Sequence, residues 1–182
     1  MDYRKRLLII LLVSVIVPTA VFAGAQQESP YVAAVNNEVK LADNWSFTWR
    51  FEGDYIQFTM VAPTTGWVSL GFNPTRMMKD ADYILAYVSN GKVTIRDDYG
   101  TGNTTHAADT TLGGTQKVEI VSGTEQAGKT TVTFRLPLNS GDTYDVVFAR
   151  GQTYKVLAAY GADGQDNFTA RHKARTSVNV TF

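Results

Sequence analysis

From Trp45 onward the chain alternates between apolar and polar positions. Trp45, Phe47, Trp49 and Phe51 are separated by Ser46, Thr48 and Arg50. Ile56, Phe58, Met60 and Ala62 repeat the pattern around Gln57 and Thr59, and Val68, Leu70 and Phe72 share one side of a third run. A period of two sends one side of an extended segment into a core and the other toward solvent. Gly53-Asp54 and Pro63-Thr64-Thr65-Gly66 supply turns between these runs. Further strands are predicted at Tyr83–Ser89, Lys92–Asp97, Val118–Ser122, Thr130–Arg135, Asp145–Arg150, Tyr154–Tyr160 and Ser177–Phe182, with Asn90-Gly91 as a tight hairpin turn. No segment carries a sustained helical period. About ten strands joined by polar turns predict an all-β fold, an antiparallel β-sandwich of immunoglobulin-like layout. One domain is expected over residues 44–182. Three connections are long for such a fold: Asn73–Asp82, Asp98–Gly114 and Gly161–Thr176. Loops on a rigid sandwich are where binding residues collect.

The first residues follow a different pattern. Arg4, Lys5 and Arg6 precede an apolar run from Leu7 to Val17 that only Ser14 interrupts, and Val21-Phe22-Ala23 places small residues at the two positions a signal peptidase reads. The run is shorter than the ~18–20 apolar residues of a spanning helix. Residues 1–23 are therefore expected to be a cleaved signal peptide, and residues 24–43, polar and small, an N-terminal lead-in. A periplasmic or secreted location follows, with no membrane span once the signal is removed. Removing the signal leaves 14 Lys+Arg and 16 Asp+Glu of the original 17 and 17. So nearly neutral a chain lacks the basic footprint of a nucleic-acid-binding protein. It has no cysteine, which excludes disulfides, thiolate metal sites, iron–sulfur clusters and covalently attached haem.

Two histidines cannot build a three-histidine metal site, and neither accompanies a nucleophile-elbow motif. Asp80, Asp82, Asp97, Asp98, Asp109, Asp142, Asp163 and Asp166 fall in predicted loops or at strand ends. They suit calcium, and they equally suit turn chemistry. Trp and Tyr side chains on a sandwich face can stack on sugar rings, though their alternation with polar residues places most of them in a core.

Several segments in order carry a family likeness: Gly66-Trp67-Val68-Ser69-Leu70-Gly71-Phe72-Asn73, Met78-Lys79-Asp80-Ala81-Asp82, Asp97-Asp98-Tyr99, Asp109 with Gly113-Gly114, Phe134-Arg135-Leu136-Pro137-Leu138 with Gly141-Asp142, Ala159-Tyr160-Gly161, and His172 shortly before the last strand. The ordered set resembles the DOMON family, whose members include sugar-binding and haem-binding sandwich domains. In the haem-binding, cytochrome-like branch, a methionine of a Met-x-Gly-Ala-Asp segment and a histidine before the final strand hold the iron. The resemblance carries these roles to Met78 and His172. It departs from the pattern at Asp80, where the family often has glycine, and at Met77, a second thioether beside the first. Leu136 stands inside the usual Arg-Pro-Leu pattern.

The resemblance implies a non-covalent haem b, with Trp67, Phe72, Tyr83 and Phe168 as apolar pocket residues, working in electron transfer with a separate redox partner protein. No catalytic residue is expected. Taken alone, Met78 reads as a core gap-filler, His172 as an exposed basic residue and His106 as a solvated one. Only the family pattern joins Met78 and His172 as a ligand pair. The alternative is a non-catalytic module that binds carbohydrate or another small ligand.

Overall fold

The structure is a computed structural model that describes residues 37–182. The expected signal peptide and the beginning of the lead-in lie outside the described residues. Among them, eleven strands form two antiparallel sheets. One has the order β1-β2-β3-β9-β8, from β1 (Asn37–Ala42), β2 (Trp45–Glu52), β3 (Tyr55–Ala62), β8 (Glu119–Gln126) and β9 (Lys129–Pro137). The other has the order β11-β10-β4-β5-β6-β7, from β4 (Val68–Phe72), β5 (Asp82–Ser89), β6 (Lys92–Gly102), β7 (Thr105–Ala108), β10 (Thr153–Tyr160) and β11 (Ala174–Thr181). The all-β sandwich expected from the alternating pattern is the observed one. No helix among the described residues is long and apolar enough to cross a membrane.

The apolar sides of both sheets meet in an aromatic core. Phe58 of β3 is its hub, with ring centroids 5.1 Å from Phe72, 5.6 Å from Phe134, 5.8 Å from Phe148 and 5.4 Å from Phe182. Trp45 packs edge-on against Tyr160, and Trp49 packs at a tilt against Phe182. Two of the three tryptophans are thus core residues and not sugar-stacking platforms.

Four local expectations are corrected. Asn37–Ala42, inside the expected lead-in, is edge strand β1, paired with β2 from Asn37↔Trp49 to Ala42↔Trp45. The Asp98–Gly114 connection is mostly ordered: β6 runs on to Gly102, turns into β7, and ends in the short helix α1 (Asp109–Leu112), closed by Gly113 at φ 96°. The predicted strand Asp145–Arg150 is irregular. Its Phe148 is buried as the pattern requires, but the backbone bonds locally, Phe148 N–H to the Leu138 carbonyl and Ala149 N–H to the Tyr154 hydroxyl. Last, β4 is buried at all five positions, Val68–Phe72. It is covered on both faces, which strands of a two-layer sandwich ordinarily are not.

The outward face of the second sheet is therefore apolar too. Ala81, Tyr83 and Leu85 form a second buried cluster there, and Met78, Leu157 and Phe168 pack onto it. Gly71 makes room for it: a Cβ at Gly71 would fall 2.3 Å from the Tyr83 ring.

Phe58→Ala is expected to lower unfolding stability by about 3–5 kcal/mol, because the four rings that close around this site cannot collapse into the cavity. Ile120→Ala, on the exposed side of β8, is expected to stay within about 0.5 kcal/mol. Urea unfolding of the two variants checks both.

Candidate functional site

The outward apolar face is the floor of a cleft with a volume of about 660 Å³, within the ~300–1,000 Å³ typical of small-molecule and cofactor sites. Tyr83 and Leu85 of β5 and Leu157 of β10 line it from the sheet, Trp67 from the residue just before β4. Two loops wall it. The first, between β4 and β5, brings Met77 and Met78; the second, between β10 and β11, brings Phe168, Arg171 and His172. Five of the six residues singled out from the sequence, Met78, His172, Trp67, Tyr83 and Phe168, meet here. The sixth, Phe72, does not. Its side chain projects from the other face of β4 into the aromatic core, against Phe58 and Phe148.

The methionine loop, part of the long Asn73–Asp82 connection, is a tight turn. Lys79 N–H donates to the Arg76 carbonyl at 2.9 Å, and Asp80 N–H to the Gly100 carbonyl at 2.8 Å. Met77 and Asp80 both take left-handed backbone conformations, at φ 54° and 63°. The second explains a departure from the family pattern. Glycine is the usual residue at such an angle, and Asp is among the few others that adopt it readily. Asp80 is held there by Thr75 Oγ1, which donates to its carboxylate at 2.5 Å, and by the Tyr99 hydroxyl at 3.3 Å. Because the segment turns, both methionines reach the cleft. Met77 is 48% exposed, whereas Met78 packs on the floor cluster.

The histidine loop is pinned at its base. Gly161 N–H donates to the Trp67 carbonyl at 2.8 Å and Lys173 N–H to the Tyr160 carbonyl at 2.8 Å. Asn167 Oδ1 accepts from the Thr169 and Ala170 amides. Phe168 anchors the tip, its ring 5.1 Å from Tyr87 and beneath the Arg96 guanidinium at 4.8 Å. Burial, and then the charges of Arg175 and Arg171, hold the His172 imidazole below its ordinary pKa. The shift favours the neutral imidazole.

His106, read from the sequence as solvated, lies in the cleft lining. The hairpin of β6 and β7 carries it there, 6.0 Å from the Tyr83 ring. Its Nδ1 pairs with the buried Asp98 carboxylate, which also accepts from Arg96 at 2.5 and 2.6 Å. Burial pushes the Asp98 carboxyl up, but the bonds from His106 and Arg96 outweigh it and hold the group below its ordinary pKa. Lys155, Arg171 and Arg175 add cationic side chains to the lining, and among the described residues none of the three pairs with a carboxylate. The Tyr83 hydroxyl is buried without a hydrogen-bond partner, and burial pushes its phenol up. Leu85 and Leu157 escaped the sequence reading because each sits beside core residues in a nearly continuous apolar strand. The arginines escaped because exposed charge carries no pattern.

Such a cleft offers an apolar floor, thioether and imidazole donors from facing loops, an unpaired buried hydroxyl and free cations. These features fit a flat apolar cofactor that needs axial donors and carries carboxylates, as haem b does.

The DOMON domain family matches residues 41–161. The mouse DBH-like monooxygenase protein 2 is 32% identical over 135 residues, 74% of this chain but 21% of that protein. The human putative DBH-like monooxygenase protein 2 is also 32% identical, over 76% of this chain and 26% of its own length. The chain thus spans about a quarter or less of these relatives. Among solved structures, the cytochrome b domain of pyranose dehydrogenase from Coprinopsis cinerea superposes with a TM-score of 0.61 at 11% identity, covering 80% of this chain and 81% of that one. The cytochrome domain of Myriococcum thermophilum cellobiose dehydrogenase gives 0.53 at 10% identity with the same coverage. At such identities the likeness is one of fold.

Gly100 tests how the methionine loop is held. A Cβ there would fall 1.9 Å from the Met78 carbonyl oxygen, so Gly100→Ala must displace the loop. Hydrogen exchange should show the amides of Met78 and Asp80 losing protection by tenfold or more, while amides of the histidine loop keep theirs.

Proposed function

The chain belongs to the DOMON domain family, and we propose that it is an exported haem-b protein that carries electrons for a separate redox partner and has no turnover of its own. The observation that carries this reading is the meeting of Met78 and His172 in one cleft with an apolar floor, from loops distant in sequence. Export rests on the charged, apolar and small-residue pattern of residues 4–23. The cytochrome b domains that share the fold support the cofactor assignment.

His172 would supply the imidazole ligand and Met78 the thioether. The lowered pKa of His172 favours the neutral imidazole that a ligand must be, and Met78 is the methionine seated against the floor. Trp67, Tyr83, Leu85 and Phe168 would hold the macrocycle by apolar burial, as a chain without cysteine requires. Arg171, Arg175 and Lys155 would meet the propionates. When bound, haem b supplies a one-electron ferric/ferrous couple, and thioether ligation favours the ferrous side. Were His172 and Met78 both to hold the iron, substrate and oxygen would find no free position on it, which suits electron transfer over catalysis.

Four variants test the ligand pair by visible spectrum and potential after haem reconstitution. His172→Ala is expected to lose haem or leave it high-spin. Met78→Ala is expected to retain haem, lose the low-spin spectrum and shift to a lower potential. Met77→Ala and His106→Ala should leave the spectrum unchanged. His106 is the competing imidazole, since a ring oriented by a carboxylate is the usual support of a metal-ligating histidine. A larger effect from His106→Ala than from His172→Ala would move the ligand to β7. Saturable sugar binding by a folded protein that takes up no haem would establish the carbohydrate alternative instead.

A further inference from the structure

Arg96 and Asp98 stand two apart on β6 and so project from the same side of the strand. Their cross-strand neighbours on β5 are Leu85 and Tyr83, both on the cleft floor. Asp98 is 0% exposed. Arg96 donates to one of its oxygens from Nε at 2.5 Å and to the other from a terminal nitrogen at 2.6 Å, and His106 Nδ1 pairs with that second oxygen. A guanidinium held at two nitrogens by one carboxylate has its plane fixed.

The open face of that plane covers Phe168. Arg96 Cζ lies 4.8 Å from the centroid of its ring, and Tyr87 flanks the same ring at 5.1 Å. Phe168 stands four residues before His172 in the loop between β10 and β11. Both ends of this loop are tied to backbone, by Gly161 N–H to the Trp67 carbonyl and by Lys173 N–H to the Tyr160 carbonyl. Between them, among the described residues, the hydrogen bonds of residues 167–172 stay within the segment, from Thr169 and Ala170 to Asn167 Oδ1. What fastens the tip to the sheet is therefore the contact of Phe168 with Arg96, Tyr87 and the floor cluster. Arg96 is a long side chain, 29% exposed, and many rotamers are open to it. Asp98 selects the one that covers Phe168. The same carboxylate reaches the other way to His106 of β7, whose ring lies 6.0 Å from that of Tyr83.

We propose that Asp98 is a positioning residue for His172, acting through Arg96 and Phe168, and that it ties the histidine loop to the β6–β7 hairpin. The role of His172 in ligation rests on the haem reading; the clamp on its loop does not. Charge matters here as much as shape. A neutral amide at this position accepts through one oxygen only, and it no longer offers an anion to both guanidinium and imidazole. Lysine in place of Arg96 keeps the cation but has neither the planar face nor the fork.

Backbone ¹⁵N relaxation of the haem-free protein reads the loop residue by residue. In the wild type the order parameters of Phe168–His172 should lie near the rigid value of ~0.85, and in Asp98→Asn they should fall toward ~0.6 or below, with those of Met78–Asp80 unchanged. Phe168→Leu, which leaves Asp98 and Arg96 intact, should loosen the same residues. The Asp98→Asn/Phe168→Leu double variant should loosen them no further, because both changes break one chain of contacts. Should Asp98→Asn not fold, Arg96→Lys takes its place with the same expectation. In the haem-loaded protein, Asp98→Asn and Phe168→Leu should each release haem to apomyoglobin about fivefold faster than the wild type, as loss of a cation–π contact allows, with a low-spin spectrum until release. A wild type that takes up no haem overturns the haem reading, and the relaxation data still decide the clamp. A histidine loop that stays rigid in Asp98→Asn or Arg96→Lys, additive loosening in the double variant, or equal loosening of the methionine loop would each overturn the proposal. Unchanged haem release from a loosened loop would overturn the positioning of His172.

Discussion

A sheet that is apolar on both faces has to be covered twice, and most of this molecule follows from that requirement. β4 and the first half of β5 are buried through and through. The five-stranded sheet covers one face with the rings around Phe58. Nothing of comparable regularity covers the other. Two loops fold over it instead, one carrying Met78 and one carrying His172, and between them they leave a cleft floored by Tyr83, Leu85 and Leu157. Burial of apolar area is worth roughly 25 cal/mol per Å², so such a floor favours a flat apolar occupant. The donors on the loops determine which kind.

The same sheet separates two chemistries that one strand supplies. At β6 the alternation of side chains sends Arg96 and Asp98 to the cleft and Ile95 and Asp97 inward. On the cleft side a carboxylate is satisfied by a guanidinium and an imidazole, and its pKa falls. On the inner side a carboxylate meets others without a cation, and its pKa rises. Neighbouring residues of one type thus have carboxyl groups shifted in opposite directions because of the partners each face provides.

Much of the fold was legible in the sequence because period-two alternation is a direct image of a half-buried strand. It failed where burial is two-sided. In β4 every residue is apolar or small, so the pattern could not say that Phe72 faces the core while Trp67, just before it, faces the cleft. It failed again at Asp145–Arg150, where Val146 and Phe148 alternate as a strand would but the backbone is tied to Leu138 and Tyr154. The cleft itself was visible only through the order of family motifs, since no local signal joins Met78 to His172 across more than ninety residues of chain. His106 was missed because its position depends on a hairpin between β6 and β7 that Gly, Thr and Asn residues disguised as a loop. Asp97 and Asp109 were each visible singly, but their convergence with Asp145 depends on the pairing of β5 with β6 and on where the irregular loop lands.

The central claim is that the outward face of the second sheet holds a haem between the two loops. Titrating the haem-free protein with hemin, followed in the visible region and then reduced, is the most direct measurement. The account predicts saturation at one haem per chain and a low-spin, six-coordinate spectrum in both oxidation states. A protein that is folded by circular dichroism yet takes up no haem, or that leaves it high-spin with an open coordination position, would contradict it.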